Sequence, residues 1–130
     1  MQKIRYTFKK NERLYLKKQI TRLMKEGEHL RVFPFFVRYL AVENIDAPAK
    51  LLISVPKKKF KRAVDRNRIK RLIREAYRLN KHQLYECLKK SNVNILLSIS
   101  YFDVEMPDYK LVEAKVKEII LKLCNKFSGE

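Results

Sequence analysis

Between Lys57 and Arg78 the chain carries eleven Lys and Arg residues and only two carboxylates, Asp65 and Glu75. Lys57, Lys58, Arg62, Arg66, Arg68, Lys70, Arg71 and Arg74 are the residue types that neutralise phosphate, and Asn67 sits among them as a neutral donor and acceptor. Exposed helices usually intersperse both signs so that i,i+4 pairs form. Crowded like charges repel one another unless an anion relieves them. The chemistry on offer is therefore capture of a polyanion: nucleic acid, an anionic membrane surface or an acidic protein.

Bond-breaking chemistry finds no comparable set. Ser54, Ser98 and Ser100 fall in apolar runs with no His nearby, and His29 and His82 are far apart. Cys87 and Cys124 lack metal-ligand spacing and read as free thiols of a reducing cytosol. With only Gly27 and Gly129, no glycine-rich phosphate loop can be built. Asp65 and Glu75 read as salt-bridge partners within a helix.

The 130 residues carry a net charge of +17 with 46% hydrophobic residues, which fits one globular domain over 1–130 rather than a disordered basic tail. The charge is partitioned: residues 1–31 hold +7, 32–56 are neutral, 57–78 hold +9, 79–103 hold +1 and 104–130 are neutral. A solubilising coat would be more even, so two segments read as a localised binding surface. No apolar run approaches the ~18 residues of a membrane span, and the basic start lacks the apolar stretch of a signal peptide.

The elements that must position these charges follow from periodicity. A first helix is expected from Asn11, with Leu16, Ile20, Leu23 and Met24 on one face and Gly27 as its stop. Val32 to Leu40 reads as an aromatic strand with Phe33, Phe35, Val37 and Tyr39 on one face, and Tyr39 as its exposed aromatic. A turn over Glu43–Pro48 then leads to a hairpin partner at Leu51–Val55. Over 66–78, Ile69, Leu72, Ile73, Ala76 and Tyr77 fill an arc of about 140° opposite the cations. Asn80 is expected to cap a separate short helix carrying Leu84, Tyr85 and Leu88. A buried strand over Val93–Tyr101 and a last helix introduced by Pro107 and Asp108 complete an α–β–β–α–α–β–α order, with a further strand possible, in an α+β sandwich.

The run Arg66–Arg78, reading RNRIKRLIREAYR after Ala63-Val64-Asp65, resembles the signature of the protein subunit of bacterial ribonuclease P. Lys9-Lys10-Asn11-Glu12-Arg13, Gly27, Phe36-Val37-Arg38-Tyr39 and Ser54-Val55 before Lys57-Lys58 extend the resemblance. It implies a small two-layer α+β fold of α-β-β-β-α-β-α order, a mixed sheet of about four strands and a left-handed βαβ crossover. It also implies a cytoplasmic partnership with a large catalytic RNA, whose Mg²⁺ ions supply the chemistry that removes the 5′ leader of precursor transfer RNA. The protein itself would hold no metal. Carried over, the resemblance gives RNA contact to Lys57, Lys58, Arg62, Arg66, Asn67, Arg68, Lys70, Arg71 and Arg74. It gives a leader cleft, between the first helix and the sheet, to Ile20, Met24, Val37 and Tyr39. At the two commonly aromatic helix positions this chain has Ile20 and Met24, which offer apolar contact. Its Lys59-Phe60-Lys61-Arg62 loop lacks the usual Gly and is one residue longer. A ribosome-associated protein or general RNA chaperone shares the charge but not the signature, and a protein-only nuclease lacks the carboxylate cluster it would need.

Overall fold

In the computed structural model, which describes residues 7–128, the segment around Asn11 is drawn away from helix by tertiary contacts. Lys3 and Arg5 of the first cationic segment lie outside the described residues. Asn11 sits in a single 3₁₀ turn, Lys10–Glu12, where its side-chain amide donates to the Asp46 carbonyl at 2.8 Å. The next residues run extended: Arg13 bridges Leu51, and the Leu14 amide donates to the Leu51 carbonyl at 2.9 Å. Helix α1 therefore spans Lys17–Glu26. Gly27 ends it, donating to the Leu23 carbonyl. A Cβ there would lie 2.4 Å from that same oxygen, so only glycine allows the approach.

The aromatic run is two strands rather than one. Strand β1 is Glu28–Val32 and β2 is Phe35–Val42, joined through the cis Phe33–Pro34 bond. They form the antiparallel hairpin, with Val32 opposite Phe35 and Glu28 opposite Tyr39. Strand β3, Ala49–Ser54, is not the hairpin partner of β2: it pairs in parallel with β4, Asn94–Tyr101, which inserts between them. The sheet order is β1-β2-β4-β3. A parallel pair needs a crossover, and α2, Ala63–Lys90, supplies it.

That helix is continuous for 28 residues. Asn80 does not cap a second helix. Its side-chain amide donates to the Ala76 carbonyl at 2.8 Å, which satisfies it inside the helix. The buried stripe runs from Ile69 and Ile73 through Ala76, Tyr77, Asn80 and Lys81 to Leu84 and Leu88. The last helix, α3 (Tyr109–Phe127), begins as expected, with Asp108 accepting from the Leu111 amide at 2.9 Å.

Both long helices cover one face of the sheet, where Phe35, Val37, Tyr39, Ile95, Leu97 and Ile99 meet Ile69, Ile73, Val116 and Ile119. Each fully buried aliphatic side chain contributes about 1.5–3 kcal/mol, so α2 is held rigidly along the side that faces the sheet. The opposite face has a smaller core, where Leu23 of α1 meets Leu14 and Leu96. The two cysteines are not free thiols: Cys87 of α2 and Cys124 of α3 form a disulfide, with Cα atoms 5.5 Å apart. Spacing in sequence could not show this, because the packing of α2 on α3 brings the two together.

Candidate nucleic-acid interface

The first turns of α2 present the cations that the spacing predicted. Arg62 precedes the helix and is exposed, as are Lys57, Lys58, Asn67, Arg68 and Arg71, while Lys70 and Arg74 are half-buried along their stems. With Ile69, Ile73, Ala76 and Tyr77 buried on one arc of the helix, Asn67, Arg68, Lys70, Arg71 and Arg74 fall on the rest of its circumference. None of these cations is ion-paired among the described residues. Glu75 takes Arg78, at 3.2 Å from Nε to Oε2 and 2.5 Å from Nη2 to Oε1, and this pairing holds the Glu75 carboxyl below its ordinary range. Asp65 makes no ion pair among the described residues. It occupies the first turn, where the helix dipole favours a carboxylate.

Arg66 is the exception within the signature. Its Nη1 donates to the carbonyls of Phe60 and Lys61, both at 2.8 Å, and so ties down the loop before α2. Phe60 anchors the same loop in the core beside Tyr101, with ring centroids 6.1 Å apart. Lys59 reaches the other way and donates to the Phe102 carbonyl at 3.1 Å.

That contact leads onto the sheet face shared with α1. The α1 contacts lie toward Leu40, Val42 and Leu96, leaving Phe36, Arg38, Ser54 and Ser100 along the rest of that face. Ser54 and Ser100 share a hydrogen bond at 2.6 Å. The Arg38 guanidinium lies over Phe36 at 5.4 Å and donates from Nη1 to the Met24 carbonyl at 3.2 Å. The same nitrogen is 2.9 Å from Nε2 of His29. On α1, Met24 is exposed and Ile20 half-buried.

Val37 and Tyr39 are not in this cleft. Both point to the opposite face and are 0% and 2% exposed. The Tyr39 ring packs edge-on against Phe127, with centroids 5.8 Å apart. Burial, with the Glu28 carboxylate beside it, raises its phenol to about 12. Side chains alternate along a strand, and Phe35, Val37 and Tyr39 do share one face, but it is the face that the helices cover, so the cleft falls to the other set, Phe36 and Arg38. The hydroxyl that seemed to require solvent is satisfied by Glu28, whose strand the sequence reading did not find.

A second group went unnoticed. Lys81, on the buried stripe of α2, donates from Nζ to Glu12 and to the Thr7 carbonyl, and Tyr85 donates to Glu12 at 2.7 Å. Burial opposes the charge on Glu12. Hydrogen bonds from Lys81, the Lys9 amide and Tyr85 outweigh it and hold the carboxyl below its ordinary range. A lysine on an apolar stripe was the available signal, since a buried ammonium demands a partner. The clamp fixes the basic N-terminal segment against α2. Among the described residues no three His, Cys, Asp or Glu side chains gather as a metal-binding group, and no helix is long and apolar enough to cross a membrane.

Comparison with known proteins places this arrangement. A family model described as Ribonuclease P matches residues 8–124. A protein of Porphyromonas gingivalis named ribonuclease P protein component is 41% identical over 115 residues, covering 88% of this chain and 84% of that protein. One of the same name from Dictyoglomus turgidum is 34% identical over 122 residues, covering 93% and 92%. Among solved structures, the RNase P protein of Staphylococcus aureus superposes with a TM-score of 0.70 at 25% identity, covering 89% of this chain and 97% of that one. That of Thermotoga maritima gives 0.68 at 25% identity, covering 85% and 96%.

Proposed function

Because the chain belongs to the ribonuclease P protein family, a component of the endoribonuclease that matures the 5′ end of transfer RNA, we propose that its α2 face docks the catalytic RNA of that enzyme and its cleft holds the precursor's 5′ leader. The supporting observation is the unpaired cationic face of Arg68, Lys70, Arg71 and Arg74, joined through the Lys59–Phe102 contact to the Phe36–Arg38 cleft. One surface suits a folded polyanion. The other is a groove of aromatic and guanidinium groups that suits an unpaired strand.

In this reading the protein moves no proton and attacks no phosphorus. The described residues bring no cluster of metal-ligating side chains, and the Mg²⁺ ions are assigned to the RNA, where they supply the hydrolytic chemistry. The protein's own work is electrostatic and positional. Lys57, Lys58 and Arg62 extend the cationic face along the loop. Arg66 sets the loop's path, and Asn67 offers a neutral amide to a sugar or phosphate oxygen. Ile20 and Met24 give the leader an apolar wall, while Arg38 and Phe36 take the place that the family resemblance assigned to Tyr39 and Val37. A cytoplasmic location accompanies this role. Family membership does not favour the RNA-chaperone reading.

Reconstitution tests it. Purified protein with its cognate catalytic RNA should release the 5′ leader from precursor transfer RNA at low Mg²⁺, and protein without RNA should not. Cleavage by RNA-free protein, or failure of reconstitution across salt and Mg²⁺ concentrations, would contradict the reading.

A further inference from the structure

The chain's only two cysteines are joined across its two long helices. Cys87 stands in the last turn of α2 and Cys124 in the last turn of α3, 37 residues further on, with Cα atoms 5.5 Å apart. That spacing is one that disulfides commonly span, so the bond needs no movement of either backbone. The helices meet there by packing as well as by the bond. Leu84 and Leu88 of α2 are buried in one core with Val116, Ile120 and Leu123 of α3. Beside the bond, Sγ of Cys124 lies 3.7 Å from the Gln83 carbonyl, and Ser91 donates from Oγ to the Phe127 carbonyl. Opening the bond therefore leaves two thiols held side by side.

Three observations give the bond a role. Both cysteines are only half-buried, so a small thiol or disulfide can reach them. Neither is at a helix N-terminus, where a stabilised thiolate favours the fast exchange of a catalytic dithiol, so the pair is built to hold two elements together. The bond also stands away from the RNA face. Arg74 and Cys87 are about 20 Å apart along the axis of α2, with unbroken helix between them. In a reducing cytoplasm a disulfide is not kept closed, and one found there follows the redox state around it.

We propose that Cys87–Cys124 is a redox-set staple that steadies the RNA-free protein and leaves its RNA face unchanged. A low-molecular-weight disulfide such as oxidised glutathione closes it. The two thiols give up two protons and two electrons and one S–S bond forms, while the oxidant's own S–S bond breaks to give two thiols. Excess reduced thiol runs the exchange backwards. The staple matters most before RNA binds. A net charge of +17 works against the compact chain until a polyanion neutralises it, and bound RNA then stabilises the fold by mass action. The compartment and the RNA partner are taken from the ribonuclease P reading; the bond itself is not.

In the experiment the full chain is equilibrated without RNA in buffers running from excess reduced to excess oxidised glutathione. Alkylation and mass spectrometry count the free thiols. Both thiols should give way to the internal bond as the oxidant rises, in a protein that stays folded and monomeric. The oxidised form should melt about 10 °C above the reduced form, on the scale of closing a loop of this length. The Cys87→Ala, Cys124→Ala double variant should melt at one temperature in every buffer. Affinity for the cognate catalytic RNA should be the same in both redox states. Thiols that stay free at every ratio, or that form mixed disulfides or linked dimers instead, overturn the proposal. So do a bond that excess reduced glutathione does not open, equal melting temperatures, and an RNA affinity that changes with redox state. The thiol count and the melts need no RNA, so they decide the staple even if reconstituted holoenzyme processes no precursor and the functional reading falls.

Discussion

Nη1 of Arg66 lies 2.8 Å from the carbonyl oxygens of both Phe60 and Lys61. The first arginine of the basic helix thus acts on the chain before it, fixing the loop that carries Lys57, Lys58 and Lys59. Replacing it removes a double hydrogen bond to backbone oxygens, and hydrogen bonds from a charged donor contribute about 1.5–3 kcal/mol. Arg66→Ala should therefore raise amide exchange across residues 57–62 while the core of α2 stays protected. Exchange mass spectrometry reads this directly. Unchanged protection of that loop would show that its path does not depend on Arg66.

The phase of β2 makes a second prediction. Arg38 faces the cleft and Tyr39 faces α3, so the two neighbours should behave oppositely. Arg38→Ala should weaken holoenzyme binding of a leader-bearing precursor and leave mature transfer RNA binding unchanged. Tyr39→Phe should leave both affinities alone and lower stability by about 1 kcal/mol through the lost hydroxyl interaction. Fluorescence titration of each variant with both RNAs separates the two. Loss of leader affinity in Tyr39→Phe would restore the assignment made from sequence.

Acid stability should report the Glu12–Lys81 pair. The Glu12 carboxyl is held below its ordinary value of 4.5, so its contribution is fully present above that value and fades as pH falls through the lower folded value. Wild type should lose stability in that acid window more steeply than Glu12→Gln does. At neutral pH, Glu12→Gln strands a buried ammonium and should cost about 3–5 kcal/mol. Denaturant melts at several pH values give both quantities. Parallel pH profiles for the two proteins would show that the pair does not couple to protons.

The sequence disclosed what local patterns can carry. The core stripe from Ile69 to Tyr77, the cations around it, the stop at Gly27 and the Asp108 cap all depend on near neighbours. The errors share a different cause. β1 was missed because Glu28–Val32 is an exposed edge strand whose only buried residue is Val32, so no alternation marks it. β3 was paired with the wrong strand because its true partner arrives only after all of α2. Tyr39 and Val37 share a face with Phe35, as alternation predicts, but only the packing of α2 and α3 shows that this face is the covered one and not the cleft. The Cys87–Cys124 bond and the Glu12–Lys81 clamp join residues far apart in sequence, and only packing reveals them.

The central claim is that the α2 face docks RNA through cations left unpaired for that purpose. The α3 lysines provide the control, because Lys115, Lys117 and Lys122 lie within 4 Å of Glu113 or Glu118. The decisive measurement is the salt dependence of affinity for the catalytic RNA in two triple variants. Arg68→Ala, Arg71→Ala, Arg74→Ala should lower the log–log slope by about two to three units, close to one per phosphate contact. Lys115→Ala, Lys117→Ala, Lys122→Ala should leave it at the wild-type value. Equal loss of slope in both variants would contradict the account, because it would mean that the RNA senses only total charge and not the face of α2.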